Sequence, residues 1–133
     1  EMTETITILK SVTFEYGVIE LRSDDILTYT PSEHLKTFSL DLVRESLKVF
    51  LEVSDGKPRL YYCDISHFTI DTDTETKALI KNTLHLYATH CAIIERSAFI
   101  TYLINIFSYL YRPEVQIKMF KTITDAVTWL KSQ

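Results

Sequence analysis

Apolar and polar residues recur along this chain with two periods, and the switches between them divide it into elements. Near the N-terminus the period is two. Thr5-Ile6-Thr7-Ile8 alternates, part of Val12-Thr13-Phe14-Glu15-Tyr16 does so again, and after Gly17 the pattern resumes in Val18-Ile19-Glu20-Leu21. Arg22-Ser23-Asp24-Asp25 is turn chemistry, and Ile26-Leu27-Thr28-Tyr29-Thr30 is the returning strand. β-branched and aromatic residues in such runs, separated by turn residues, predict an antiparallel meander. The period then lengthens. Leu40, Val43, Leu47, Phe50 and Leu51 share one helical face, while Arg44, Glu45, Lys48 and Glu52 take the other. Ser39 is placed to cap this helix, Asp41 lies in its first turn, and Phe38 and Val43 occupy the positions of a hydrophobic staple.

Ser54-Asp55-Gly56-Lys57-Pro58 ends that helix and leads into Leu60-Tyr61-Tyr62-Cys63-Asp64-Ile65. A continuous apolar run of strand length predicts a central strand covered on both faces. After a polar loop from Ser66 to Asp71, Thr72-Asp73-Thr74-Glu75 matches a capping box with Thr72 as the cap. The helix it opens carries Leu79, Ile80, Leu84, Leu86 and Tyr87. Cys91-Ala92-Ile93-Ile94 reads as a short strand, and residues 96–111 as a third, very apolar helix stopped by Pro113. Residues 115–120 alternate as a half-buried strand would. Thr122 and Asp125 then cap a last helix with Ile123, Ala126, Val127 and Leu130 inside and Trp129 at its margin. Strands followed by alternating helices and strands predict an α/β fold: a single-domain mixed β-sheet, antiparallel at the N-terminus, with a parallel βαβ section packed by about four helices.

Several local patterns fit a known family. Gly56-Lys57-Pro58 before Leu60–Ile65, the late Arg112-Pro113, and Phe120-Lys121-Thr122 before Ala126-Val127-Thr128-Trp129-Leu130 make the chain resemble the STAS domain. The resemblance is to the bacterial STAS/SEC14-like or SpoIIAA-like proteins in particular, a set largely of unassigned function, and it runs from about Val12 to the C-terminus. It implies a mixed sheet with helices packed against it and a regulatory, protein-interacting role. The best-known relatives are antagonists of anti-sigma factors, switched by serine phosphorylation at the start of the helix after the central strand. Those relatives read Asp-Ser-Ser-Gly where this chain reads Asp71-Thr72-Asp73-Thr74, so Asp71 fits while Asp73 and Thr74 replace the second Ser and the Gly. Helix N-termini favour phosphate, which makes Asp71, Thr72 and Asp73, with Asp64 at the strand end, the candidate switch loop. A capping box explains the same residues by structure alone, and that is the expectation for Thr72.

Composition narrows the chemistry. The chain has 133 residues, 46% hydrophobic and 24% charged, which suffices for a core without disulfide or metal. A net charge of −4 gives no basic field for a phosphate backbone, so nucleic acid is not expected as a partner. No run is apolar for long enough to cross a bilayer and no signal peptide is evident, which makes the cytoplasm the economical expectation. Cys63 and Cys91 fall inside apolar strand runs and read as small buried hydrophobes. With two glycines, Gly17 and Gly56, neither a dinucleotide fingerprint nor a P-loop can be built. His67, His85 and His90 with the cysteines match no zinc spacing. Ser66, His67 and Asp71 lie where open α/β sheets hold ligands, but without a Gly-x-Ser-x-Gly elbow they read as loop polarity. Catalysis, a metal and a cofactor are therefore not expected.

The third helix leaves the clearest opening. Ser97, Thr101, Asn105, Ser108 and Arg112 share a narrow polar arc, and Leu103 and Leu110 centre the opposite one, beside Phe99, Ile106 and Phe107. Ile100, Ile104 and Tyr111 extend one flank, and Tyr102 and Tyr109 the other. That arc is wider than packing on a sheet requires. Ile100, Tyr102, Ile104, Phe107, Tyr109 and Tyr111 are thus expected to meet a second surface: a neighbouring helix, a second copy of the chain in a homodimer, or an apolar small molecule. Two function classes remain: a regulatory interaction module, which the STAS resemblance implies, and a carrier or sensor of a small lipid-like ligand, which the SEC14-like resemblance and this apolar helix suggest.

Overall fold

The computed structural model of the protein describes residues 5–69 and 72–133. The described residues build one six-stranded sheet whose strands stand in sequence order. β1 (Ile8–Phe14), β2 (Gly17–Arg22) and β3 (Ile26–Pro31) form the antiparallel meander, and β4 (Arg59–Asp64), β5 (Ala88–Ile94) and β6 (Gln116–Phe120) each add in parallel. The helices α1 (Leu40–Val53), α2 (Thr74–Thr83) and α3 (Ala98–Tyr111) connect the parallel strands, and α4 (Ile123–Lys131) follows β6. The fold is α/β with a mixed sheet, as the patterning predicts.

The topology dictates where the helices go. Crossovers between parallel strands are right-handed almost without exception. Three that step the same way along a sheet must therefore share a face. On that face lie Tyr29, Phe50, Tyr61, Cys63, Tyr87 and Cys91, in one cluster with Leu42 and Val43 of α1 and Ile104 of α3. The other face is covered by α4, which buries Ala126 and Leu130 against Ile26, Ala92 and Ile94. β4 is central, bonded to β3 and β5, but its two faces are covered unequally. Tyr61 and Cys63 are buried, whereas Leu60 and Tyr62 are half-buried because a nine-residue helix alone shields their side.

Several element boundaries shift from expectation. Thr5–Ile8 is not a strand of its own: β1 starts at Ile8, and Thr7 exchanges hydrogen bonds with Ser23 instead. α2 stops at Thr83, whose hydroxyl bonds back to Leu79 O at 2.7 Å, and Leu84–Leu86 form a 3-10 turn. Leu84, Leu86 and Tyr87 therefore lie beyond the helix. β5 begins at Ala88 rather than Cys91, because Tyr87 O already accepts from Arg59 N–H of β4. α3 begins at Ala98 behind the cap Ser97, since the Glu95 carboxylate holds the N–H groups of Arg96 and Ser97 at 2.9 and 3.0 Å. The caps Ser39 and Thr122 stand where the sequence places them.

One cluster ties the meander to the second face. Asp24, its side chain only 4% exposed, accepts from Arg22 Nη2 at 2.7 Å and Lys131 Nζ at 3.1 Å. Burial alone would raise its pKa, but the hydrogen bonds from Arg22 and Lys131 hold the carboxyl below its ordinary value. The tightest backbone approach is at Gly17, with φ +139° and a space in which a Cβ would lie 2.2 Å from Thr30 O. Gly17→Ala is expected to destabilise the fold by about 1–3 kcal/mol through backbone strain alone, read as a lower urea midpoint. An unchanged midpoint would refute that account of the hairpin.

Candidate functional site

The site is built from a layer of aromatic rings. α1 lays Phe50 onto the sheet, where it stacks on Tyr87 with centroids 4.0 Å apart and planes 3° from parallel. Tyr29 of β3 and Tyr61 of β4 meet the same ring edge-on at 5.7 and 5.3 Å. Such pairs prefer these geometries because a ring's positive edge meets the negative face of its neighbour. Beside this layer α1 lies close over β1 and β2. Beyond it, under α3, the described side chains leave a space.

What remains there is a cavity of about 240 Å³. Its floor is Tyr61, Cys63 and Cys91 of the central strands, with Ile93 and Ile117 further along. α1 gives Leu42, Ser46 and Phe50 to one wall, and α2 gives Lys77 and Ile80 with Leu84 just beyond. α3 gives Leu103, Ile104, Phe107, Leu110 and Tyr111. Sealed and empty, such a volume would cost on the order of 6 kcal/mol at about 24 cal/mol per Å³, comparable to a domain's whole stability of about 5–15 kcal/mol. An opening to solvent lowers that figure.

The floor is electrically neutral. Burial pushes the phenols of Tyr29, Tyr61 and Tyr87 above their ordinary pKa, so they stay protonated donors. Burial likewise pushes the Cys63 thiol up to about 12 and raises that of Cys91. Both are free thiols, and without thiolate character they are poor nucleophiles. Ser46 Oγ is buried, close enough to the Tyr29 phenol to influence its ionisation but without a well-formed hydrogen bond. Tyr29 instead donates to Tyr16 O at 2.7 Å. Among the described residues lining the cavity, Lys77 alone is charged.

The expected interface helix divides in two. Ile104 is buried, and Phe107 and Tyr111 line the cavity, their rings stacked 5.0 Å apart. Ile100 packs against the core beside them. Tyr102 and Tyr109 are 61% and 71% exposed, so they join the outer face and not the cavity. The wheel also misplaces the inward direction. Ser108, assigned to the solvent arc, has its hydroxyl buried, while Phe99 and Leu110 of the apolar arc are largely exposed. Packing follows the flank of the arc because its centre faces the cavity and its opening.

The candidate switch loop is also redrawn. Thr72 does not cap α2. Asp73 does, accepting Thr76 N–H at 2.8 Å, and that bond holds its carboxyl below the ordinary value. Thr72 leaves its hydroxyl 3.4 Å from that of Thr37 and borders the cavity. Asp71 lies outside the described residues. Asp64 Oδ1 accepts from both the backbone N–H and the hydroxyl of Ser66, at 3.0 and 2.5 Å, and Ser66 Oγ accepts from Arg96 at 2.7 Å. His67 turns its ring edge to Phe68 and makes no bond to Ser66, so these neighbours are not assembled into a nucleophilic pair. Among the described residues no group of three or more His, Cys, Asp and Glu could hold a metal ion. None of their helices is long and apolar enough to cross a membrane.

Sequence reasoning missed Tyr29, Phe50, Tyr61, Tyr87 and Lys77 as one site. The signal available was aromatic residues at matching positions of adjacent strands, but their convergence depends on register: Leu27 opposite Tyr61, and Tyr61 opposite Cys91.

Comparison with known proteins locates the fold. A family model described as a domain of unknown function, DUF7793, matches residues 19–133. Among solved structures, the chain is similar to an uncharacterized protein of the DUF3478 family with a SpoIIAA-like fold from Shewanella loihica PV-4. The identity is 13% and the TM-score 0.59, over 98% of this chain and 99% of that one. At that identity the likeness is one of fold. No curated protein sequence matches.

The revised cap has a direct consequence. Asp73→Ala is expected to lower the urea midpoint more than Thr72→Ala, and Asp73→Asn to recover most of the loss. Equal effects at the two positions would return the cap to Thr72.

Proposed function

The chain belongs to the DUF7793 family, and since that membership assigns no chemistry, we propose from its cavity that it is a non-enzymatic binding module for one small apolar ligand. A space lined by apolar side chains, with a neutral floor and few polar groups, is the usual form of a small-molecule site. The single observation that carries the reading is the cavity of about 240 Å³ beneath α3, kept open where the neighbouring α1 packs tightly. Water gains little there, because an apolar wall offers it few partners. An apolar molecule gains the burial of its whole surface. Its entry or loss would alter how α3 sits, which is the form that a carrier and a sensor share.

The test is fluorescence of the neutral probe N-phenyl-1-naphthylamine. The wild-type chain should bind it with a blue shift and enhancement, and Leu103→Trp, which fills the cavity, should weaken binding at least tenfold. A folded wild-type protein that leaves the probe unchanged would refute the reading.

A second reading, an interaction module that meets a second copy of itself, is favoured by the outer face of α3. Phe99, Tyr102 and Tyr109 are 68%, 61% and 71% exposed there, forming an apolar strip on a helix whose other face is already engaged. Sedimentation velocity at tens of micromolar should then give a wild-type dimer and a Tyr109→Glu monomer with the probe still bound. A wild-type monomer at that concentration would exclude the homodimer.

A further inference from the structure

We infer that the cavity takes an amphipathic anion, a single-chain fatty carboxylate, with its chain over the aromatic floor and its head group at Lys77. The inference rests on the reading of the cavity as a ligand site and names the class of ligand. It follows from how charge is distributed along the walls. The floor cannot hold an anion. Tyr29, Tyr61, Tyr87, Cys63 and Cys91 are neutral groups in a desolvated layer, and among the described residues no cation lines that end. A carboxylate placed there would lose its hydration and gain only neutral donors. The charged end must therefore lie elsewhere.

Lys77 supplies the place. It is half-buried in the second turn of α2, lines the cavity together with Thr69 and Thr72, and makes no ion pair within 4 Å to any described residue. Of the two acids at the start of α2, Glu75 is exposed and makes no ion pair with it, and Asp73 is near enough to feel its charge but has its carboxylate bonded to Thr76 N–H. A half-buried lysine in a largely apolar wall usually has a carboxylate partner or lies along the surface with its head in water. Here the stem borders an apolar void, so a ligand carboxylate would complete a charge-assisted hydrogen bond. The hydroxyls nearby are already engaged, Thr69 with Lys36 O at 3.0 Å, Thr72 with the Thr37 hydroxyl at 3.4 Å and Thr83 with Leu79 O at 2.7 Å. The ammonium is the polar group at that end left for a ligand.

Volume settles the number of chains. At about 240 Å³ the cavity lies below the roughly 300–1,000 Å³ of pockets for drug-sized ligands. One acyl chain matches it, and a two-chain phospholipid does not.

The experiment is competition of decanoate and 1-decanol for bound N-phenyl-1-naphthylamine at pH 8, on the wild type, Lys77→Met and Lys77→Arg. The side chain of Lys77 is partly in solvent, so all three should fold, which circular dichroism checks. Decanoate should compete about tenfold more weakly with Lys77→Met than with the wild type, the scale of one lost charge-assisted bond. Decanol should compete equally with both, and Lys77→Arg should retain decanoate binding. If decanoate is unaffected by Lys77→Met, or both ligands weaken equally, the head-group assignment falls while the cavity reading stands. If neither ligand displaces the probe, or the probe never binds, both fall together.

Discussion

The constraint on which the structure depends is directional. Each parallel strand after β3 is added on the same side of its predecessor, and right-handed crossovers then force α1, α2 and α3 onto one face. Three helices share that face while α4 serves the other. A crowded face need not be a filled one. α1 is pressed to the sheet by the Phe50–Tyr87 stack, and α2 leans on α1, so α3 bridges the remaining width with side chains that do not reach across it. The cavity is thus a product of topology and of side-chain size together.

The aromatic layer has two roles in this arrangement. It packs α1 onto the sheet, with Tyr29, Tyr61 and Tyr87 all meeting Phe50. It is also a wall of the cavity, so side chains that hold α1 to the sheet are ones a ligand would touch. A site built on strands and a packed helix holds its shape better than one built on loops. The mobile partner in any binding event would then be α3, which is anchored at its start by Ser97 and Glu95 and at its end by the left-handed turn at Arg112.

The sequence made the architecture legible because the apolar period changes cleanly from two to 3.6 between Thr30 and Leu40, and Ser39 and Thr122 are strong local caps. It was less informative where two local solutions compete. Thr72 and Asp73 are both good caps with an acid or hydroxyl within reach of the first turn, and tertiary contact with Thr37 draws Thr72 away. Tyr87 fits a helical pattern, but its carbonyl accepts from Arg59 N–H of β4, which ties it to the central strands. The apolar excess of α3 was readable, and its split between a cavity-lining flank and an exposed outer face was not. Which flank would turn inward was not, because a helical wheel carries no information about an empty space. The meeting of Tyr29, Tyr61 and Tyr87 on Phe50 likewise depends on strand register, which no local pattern in this chain encodes.

The cavity also makes the molecule's volume a variable. Unfolding eliminates internal void, so hydrostatic pressure favours the unfolded chain in proportion to the space it releases. A hollow of about 240 Å³ beneath one helix is space of that kind. Compression would therefore act where α3 spans the gap. A molecule lodged in the hollow would remove that compressibility, and the filled and empty forms would differ in density even where their backbones coincide.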